Sequence, residues 1–132
     1  MKKTYRGSCH CKRVAFAADI DLTQGTSKCN CTFCWKNRNW GAQLMPEDFR
    51  LEKGADDLSG GDRGGFCRFC GVRCFGVYST DGWGEGFGGD RVSVSVSVLD
   101  DLPVEELLEA PVRHLDGLRD DWFTIPKETR HL

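Results

Sequence analysis

Seven of the eight cysteines in this chain fall into three tight clusters, Cys9-His10-Cys11, Cys29-Asn30-Cys31-Thr32-Phe33-Cys34 and Cys67-Arg68-Phe69-Cys70. Thiols one or two residues apart share a short loop and can converge on one ion at little loop-closure cost, whereas such close neighbours rarely satisfy disulfide geometry. The chemistry expected is therefore metal binding, and thiolate ligands at this spacing suit zinc.

Spacing alone permits two pairings. Cys31/Cys34 with Cys67/Cys70 would make a ribbon-like site, although the gap between those pairs is longer than such modules usually show. Alternatively Cys9 and Cys11 join Cys67 and Cys70, leaving Cys29, Cys31 and Cys34 as a separate trio. Four thiolates close a site and make it structural; three leave a coordination position for water or substrate. Three thiolates also leave the ion formally negative, which makes it a poor activator of water and a good host for a substrate thiol. Gly71, directly after Cys70, suits a tight knuckle turn.

The elements that must position these residues are mostly strands and loops. A chain of 132 residues, 1–132, reads as one domain that a structural metal would help to stabilise. Val14–Ala17 and Phe75–Tyr78 read as short strands, and Arg91–Val98 alternates Val and Ser, the period of a half-buried strand. One helix is expected, Pro103–Ala110, capped by Asp100 or Asp101 and stopped by Pro111. Val112–Leu132 reads as an irregular tail packed on the body. The segment Gly84-Glu85-Gly86-Phe87-Gly88-Gly89 matches a dinucleotide fingerprint on paper, but a Val/Ser strand follows where a helix must. It reads as a loop, with Trp83 and Phe87 as candidate lid residues.

Formal net charge is -2 with dispersed Lys and Arg, so the footprint of a nucleic-acid binder is missing. No apolar run suggests a signal peptide or a membrane span, so the expectation is a cytoplasmic protein with reduced thiols. The sequon Asn30-Cys31-Thr32 is discounted on that ground.

The motifs Gly7-Ser8-Cys9-His10-Cys11, Cys29-Asn30-Cys31-Thr32-Phe33-Cys34 and Phe66-Cys67-Arg68-Phe69-Cys70-Gly71, with a tail containing Pro111-Val112-Arg113-His114 and Asp121-Trp122-Phe123, resemble the glutathione-dependent formaldehyde-activating (CENP-V/GFA) family. The resemblance spans nearly the whole chain. It implies a mainly β, zinc-stapled β-tent fold with one short C-terminal helix, and it favours the second pairing. Cys9, Cys11, Cys67 and Cys70 would hold a structural zinc, and Cys29, Cys31 and Cys34 an open, more labile one. The implied activity is of carbon–sulfur lyase type, joining glutathione or a similar small thiol to formaldehyde as S-(hydroxymethyl)glutathione. The competing reading is a non-catalytic zinc-stapled binding module on the same scaffold.

Trp35, Lys36, Arg38 and Trp40 follow the open cluster closely enough to line its pocket, with the cations available to substrate carboxylates. Cys74 departs from the family pattern and reads as a small buried hydrophobe. The glycine-rich Asp56–Gly65 departs too and is expected to alter a pocket wall. His10 reads as outer support for the metal, and His114 and His131 as surface or packing residues.

Overall fold

The computed structural model describes residues 1–132. In chain order the elements are β1 (Lys3–Ser8), β2 (Ala15–Ile20), β3 (Thr26–Cys29), α1 (Thr32–Lys36), β4 (Gly41–Leu44), β5 (Phe49–Lys53), β6 (Gly64–Phe66), β7 (Arg73–Ser79), β8 (Asp90–Ser95), α2 (Val104–Glu109) and β9 (Val112–Leu115). They form a three-stranded sheet, β1-β2-β5, and a six-stranded sheet, β6-β7-β8-β4-β3-β9. The chain is thus mainly β, and neither sheet closes on itself.

An aromatic cluster joins the sheets. Phe16 of β2 stacks on Phe49 of β5 at 5.3 Å between ring centroids, and Phe49 meets Phe75 of β7 in the other sheet at 4.4 Å. Phe16 and Phe75 are each 1% exposed. Around them pack Val14, Leu58 and the inward valines of β8. The Val/Ser alternation does its expected work: Val92 and Val94 are buried and the intervening serines are not. The strand ends at Ser95, however, and Val96–Val98 forms a 3₁₀ turn that keeps Val96 in the core.

Three expectations need correction. There are two short helices; α1 was hidden because five residues carry no amphipathic period. The expected helix forms as α2 over Val104–Glu109 with no side-chain cap, since Asp101 accepts from the backbone N–H of Arg6 and Asp100 accepts from the Ser8 hydroxyl. Those carboxylates fasten β1 instead. The tail, finally, begins as a strand: β9 pairs in parallel with β3, placing Cys29 opposite Leu115 and Lys28 opposite His114. A pairing so distant in sequence leaves no local signature.

The hairpin joining β7 to β8 carries Trp83 and Phe87, 5.6 Å apart and both largely exposed. It lies beyond the Leu44 end of β4, because Leu44 pairs with Val92 near the hairpin while Gly41, at the other end, pairs with Ser27. The hairpin is therefore remote from Cys29 and is no lid for the trio.

Truncating Phe16 removes a fully buried ring from the aromatic cluster that joins the two sheets. Phe16→Ala is expected to cost about 3–5 kcal/mol of folding stability, read from denaturant melts, and a loss below about 1 kcal/mol would refute this account of the core.

Candidate metal centres

The first centre is built by two turns. Cys9 and Cys11 lie in the turn after β1, where the Lys12 N–H donates to the Cys9 carbonyl at 3.2 Å and the Val14 N–H donates to Cys9 Sγ at 3.3 Å. Cys67 and Cys70 lie between β6 and β7. There the Gly71 N–H donates to the Cys67 carbonyl at 2.8 Å, closing a knuckle that needs the positive φ of 79° at Gly71. The four Sγ atoms lie within 4.8 Å of one another, with Cys9 to Cys11 at 3.6 Å and Cys11 to Cys67 at 3.7 Å. A tetrahedron of sulfurs at the zinc–thiolate distance of about 2.3 Å has edges of about 3.8 Å, so the donor set fits such an ion.

Backbone donors make two of these sulfurs good ligands. The Val72 N–H draws the Cys70 thiol down to about 6, and the Arg13 N–H, with the Arg13 side chain, lowers Cys11. Burial raises Cys9. Cys74 stays outside the cluster, fully buried in the core, where burial pushes its thiol up to about 12. His10 is exposed, and no histidine joins either cluster.

The second centre gathers Cys29, Cys31 and Cys34. Cys29 ends β3. Cys31 caps α1 with its sulfur, accepting the Cys34 N–H at 3.4 Å, while its own N–H donates to Cys29 Sγ at 3.4 Å. Burial opposes ionisation of Cys31, but its donors outweigh it and bring the thiol down. Burial raises Cys29 and pushes Cys34 up to about 12.

The β3–β9 register brings a support that sequence reading missed. Two residues after Leu115, Gly117 packs against Cys29 Sγ, and its N–H works against the rise that burial imposes on that thiol. A Cβ at Gly117 would lie 2.5 Å from that sulfur and 2.9 Å from the Trp122 ring, so the approach requires glycine. Buried Asn30 holds this turn from both sides, donating to the Asp116 carboxylate at 2.8 Å and accepting from the Leu118 N–H at 3.0 Å. Those bonds, first Asn30 and then Arg119, lower the Asp116 carboxyl below its ordinary value.

A cavity of about 190 Å³ opens beside Cys29 and Cys34, walled by Trp35, Trp40, Arg38 and Asn39. Trp40 is fixed by its indole N–H donating to the Thr26 hydroxyl at 2.8 Å, and Asn39 reaches Cys34 Sγ at 3.9 Å. Lys36 is exposed and forms no part of the wall. The second cation there is Lys28, whose ammonium sits 4.4 Å over the Trp40 ring. Asp56–Gly65 contributes nothing to this wall.

The glutathione-dependent formaldehyde-activating enzyme family model matches residues 4–113. No curated protein matches the chain. Among solved structures, the crystal structure of a Rhodobacter sphaeroides protein is similar at 24% identity and a TM-score of 0.60, covering 81% of this chain and 98% of that one. That likeness concerns the fold.

Two outcomes follow from the geometry. The four-thiol centre ties the β1–β2 turn to the β6–β7 turn, so Cys67→Ser should lower the melting temperature far more than Cys34→Ser, which should leave a folded chain short of one metal. Melts ranking the variants the other way would overturn the assignment of roles.

Protons and metal compete for the same sulfurs, and a thiol raised above its ordinary value takes its proton back at higher pH. In the trio Cys29 and Cys34 are raised against a lowered Cys31, and in the four-thiol set Cys11 and Cys70 are lowered against a raised Cys9, so on balance the trio should release metal first as pH falls. An acid titration with a chromogenic chelator, on wild type and Cys34→Ser, checks the order.

Proposed function

The chain belongs to the glutathione-dependent formaldehyde-activating enzyme family, and we propose that it is a zinc-dependent protein of carbon–sulfur lyase type that joins glutathione, or a similar small thiol, to formaldehyde. The observation that carries this reading is the three-thiol cluster opening onto a cavity with aromatic and cationic walls. Cys9, Cys11, Cys67 and Cys70 would hold a structural zinc, and Cys29, Cys31 and Cys34 a second one. Zinc held by the trio supplies a position that keeps a substrate sulfur ionised at neutral pH.

The chain's own residues do the rest. Trp35 and Trp40 narrow the cavity and limit water around the reacting sulfur. Arg38 and Lys28 offer positive charge to substrate carboxylates. The Cys31 N–H holds Cys29 Sγ in place with Gly117 packed against it, and the Cys34 N–H does the same for Cys31. In the net reaction a sulfur–carbon bond forms, the π bond of formaldehyde breaks, and the thiol proton ends on its oxygen. No electron is gained or lost. Because the addition is facile in water, the protein's share is ionisation and orientation.

Glutathione added to the cobalt-loaded protein should intensify and shift the sulfur-to-cobalt absorption bands, while S-methylglutathione leaves them unchanged. Wild type, and not Cys34→Ser, should speed exchange of labelled formaldehyde into the adduct. Silence from glutathione and every other small thiol at millimolar concentration would favour the non-catalytic binding module.

A further inference from the structure

The cavity beside the trio, about 190 Å³, falls short of the roughly 300–1,000 Å³ in which drug-sized ligands are usually held. A second cavity of about 210 Å³ lies against Asn30, Leu118 and Pro126. Trp35 borders both. Consecutive residues of one segment complete the two walls, Leu132 in the first cavity and His131 in the second.

That segment is lightly held. In residues 122–132 the one backbone–backbone hydrogen bond is internal, from the Leu132 N–H to the Thr129 carbonyl at 3.0 Å. Its start is held by side chains, with the Trp122 indole N–H donating to the Asp120 carboxylate and the Phe123 and Thr124 N–H groups to that of Asp121, while its far end is anchored by residues of the pocket itself. The Arg38 guanidinium donates to the His131 carbonyl, and the Lys28 ammonium donates to the main-chain oxygen of Leu132 at 3.3 Å. The His131 ring meets the Trp35 ring edge-on at 4.8 Å. Both pocket cations therefore spend their donors on main-chain oxygens. The His131 peptide carbonyl is a weaker acceptor than a carboxylate, and of the two anchors the Lys28 bond to Leu132, at 3.3 Å, is the looser, longer than the 2.7–2.9 Å or so of a charge-assisted bond.

We infer that Lys28 and Arg38 form a carboxylate clamp, that His131 and Leu132 are a strap occupying it, and that a thiol bearing a carboxylate displaces the strap and joins the two cavities into one groove. The inference rests on the thiol-binding reading of the trio and adds to it a built-in competitor for the carboxylate end of the thiol. A thiol without a carboxylate reaches the trio beneath a closed strap.

The test compares 3-mercaptopropionate with 2-mercaptoethanol in two measurements. On cobalt-loaded protein the absorption bands report binding of sulfur. On zinc-loaded protein the NMR signal of the His131 ring, shifted by the Trp35 ring current, reports the strap. The acidic thiol should bind about tenfold more tightly and move His131 toward the position of an unstructured histidine, whereas the neutral thiol should bind without moving it. Lys28→Gln should cut the preference to below about twofold. His131→Ala should instead tighten the acidic thiol several-fold, since a weaker competitor leaves more of the clamp free. Opposite signs for these two variants are not expected of residues that merely support the fold. Equal affinities, an unmoved His131 signal at saturating acidic thiol, or weaker binding in His131→Ala would each overturn the inference while leaving the thiol reading intact. Cobalt bands unmoved by either thiol would overturn the thiol reading, and the strap's displacement with it.

Discussion

Four sulfurs held within 4.8 Å of one another cannot all ionise unaided. Two unit charges 4 Å apart repel by about 4 kcal/mol at an effective dielectric of 20, and a cluster of four multiplies the pairs. A divalent cation at the centre would reverse the sign of the dominant interaction and turn the repelling groups into a cross-link. The rest of the architecture depends on this constraint. One half of the cluster belongs to the turn between β1 and β2 in the three-stranded sheet and the other to the turn between β6 and β7 in the six-stranded sheet. The aromatic contact of Phe49 with Phe75 covers the same junction with apolar surface. Thiol chemistry and hydrophobic burial thus hold one seam from two positions.

The second cluster obeys different physics. Its three sulfurs come from a single stretch of chain, so closing it takes little loop entropy and ties no distant parts together. What it gains from the fold is orientation. The parallel pairing of β3 with β9 brings Gly117 against Cys29 Sγ, and Asn30 and Asp116 fix the turn that carries it. Burial raises Cys29 and Cys34 there, so two of its three ligands hold their protons tightly while Cys31 gives its own up more readily. The first cluster, with its lowered Cys11 and Cys70, is the more willing binder of a cation.

Much of this was legible in the residues because it is local. Cys-x-Cys and Cys-x-x-Cys spacings announce convergent thiols, and the Val/Ser alternation of β8 announces a strand with one buried face. Which thiol pairs converge was open on spacing alone, and the family resemblance favoured the grouping into four and three that the structure brings together. The features that escaped are those fixed by partners far away in sequence. β9 is four residues whose partner lies near the opposite end of the chain. Lys28 precedes the cluster on a strand, and its place in the pocket comes from Trp40 and Leu132. Lys36, nearer the cysteines in sequence, falls on the outer side of a helix too short to be recognised. Asp100 and Asp101 carried a sound capping signal that β1 captured through Arg6 and Ser8.

The pairing of β3 with β9 also separates the order of assembly from the order of the residues. On the ribosome Cys29, Cys31 and Cys34 emerge early, and the four-thiol set is complete once Cys70 is out. The glycine that steadies Cys29 follows only at position 117. A nascent chain therefore has every sulfur of the open centre in hand while the edge of the sheet that shapes it has still to be made. Formation of β9 and the turn after it decides when a loose knot of thiols becomes a site with defined walls.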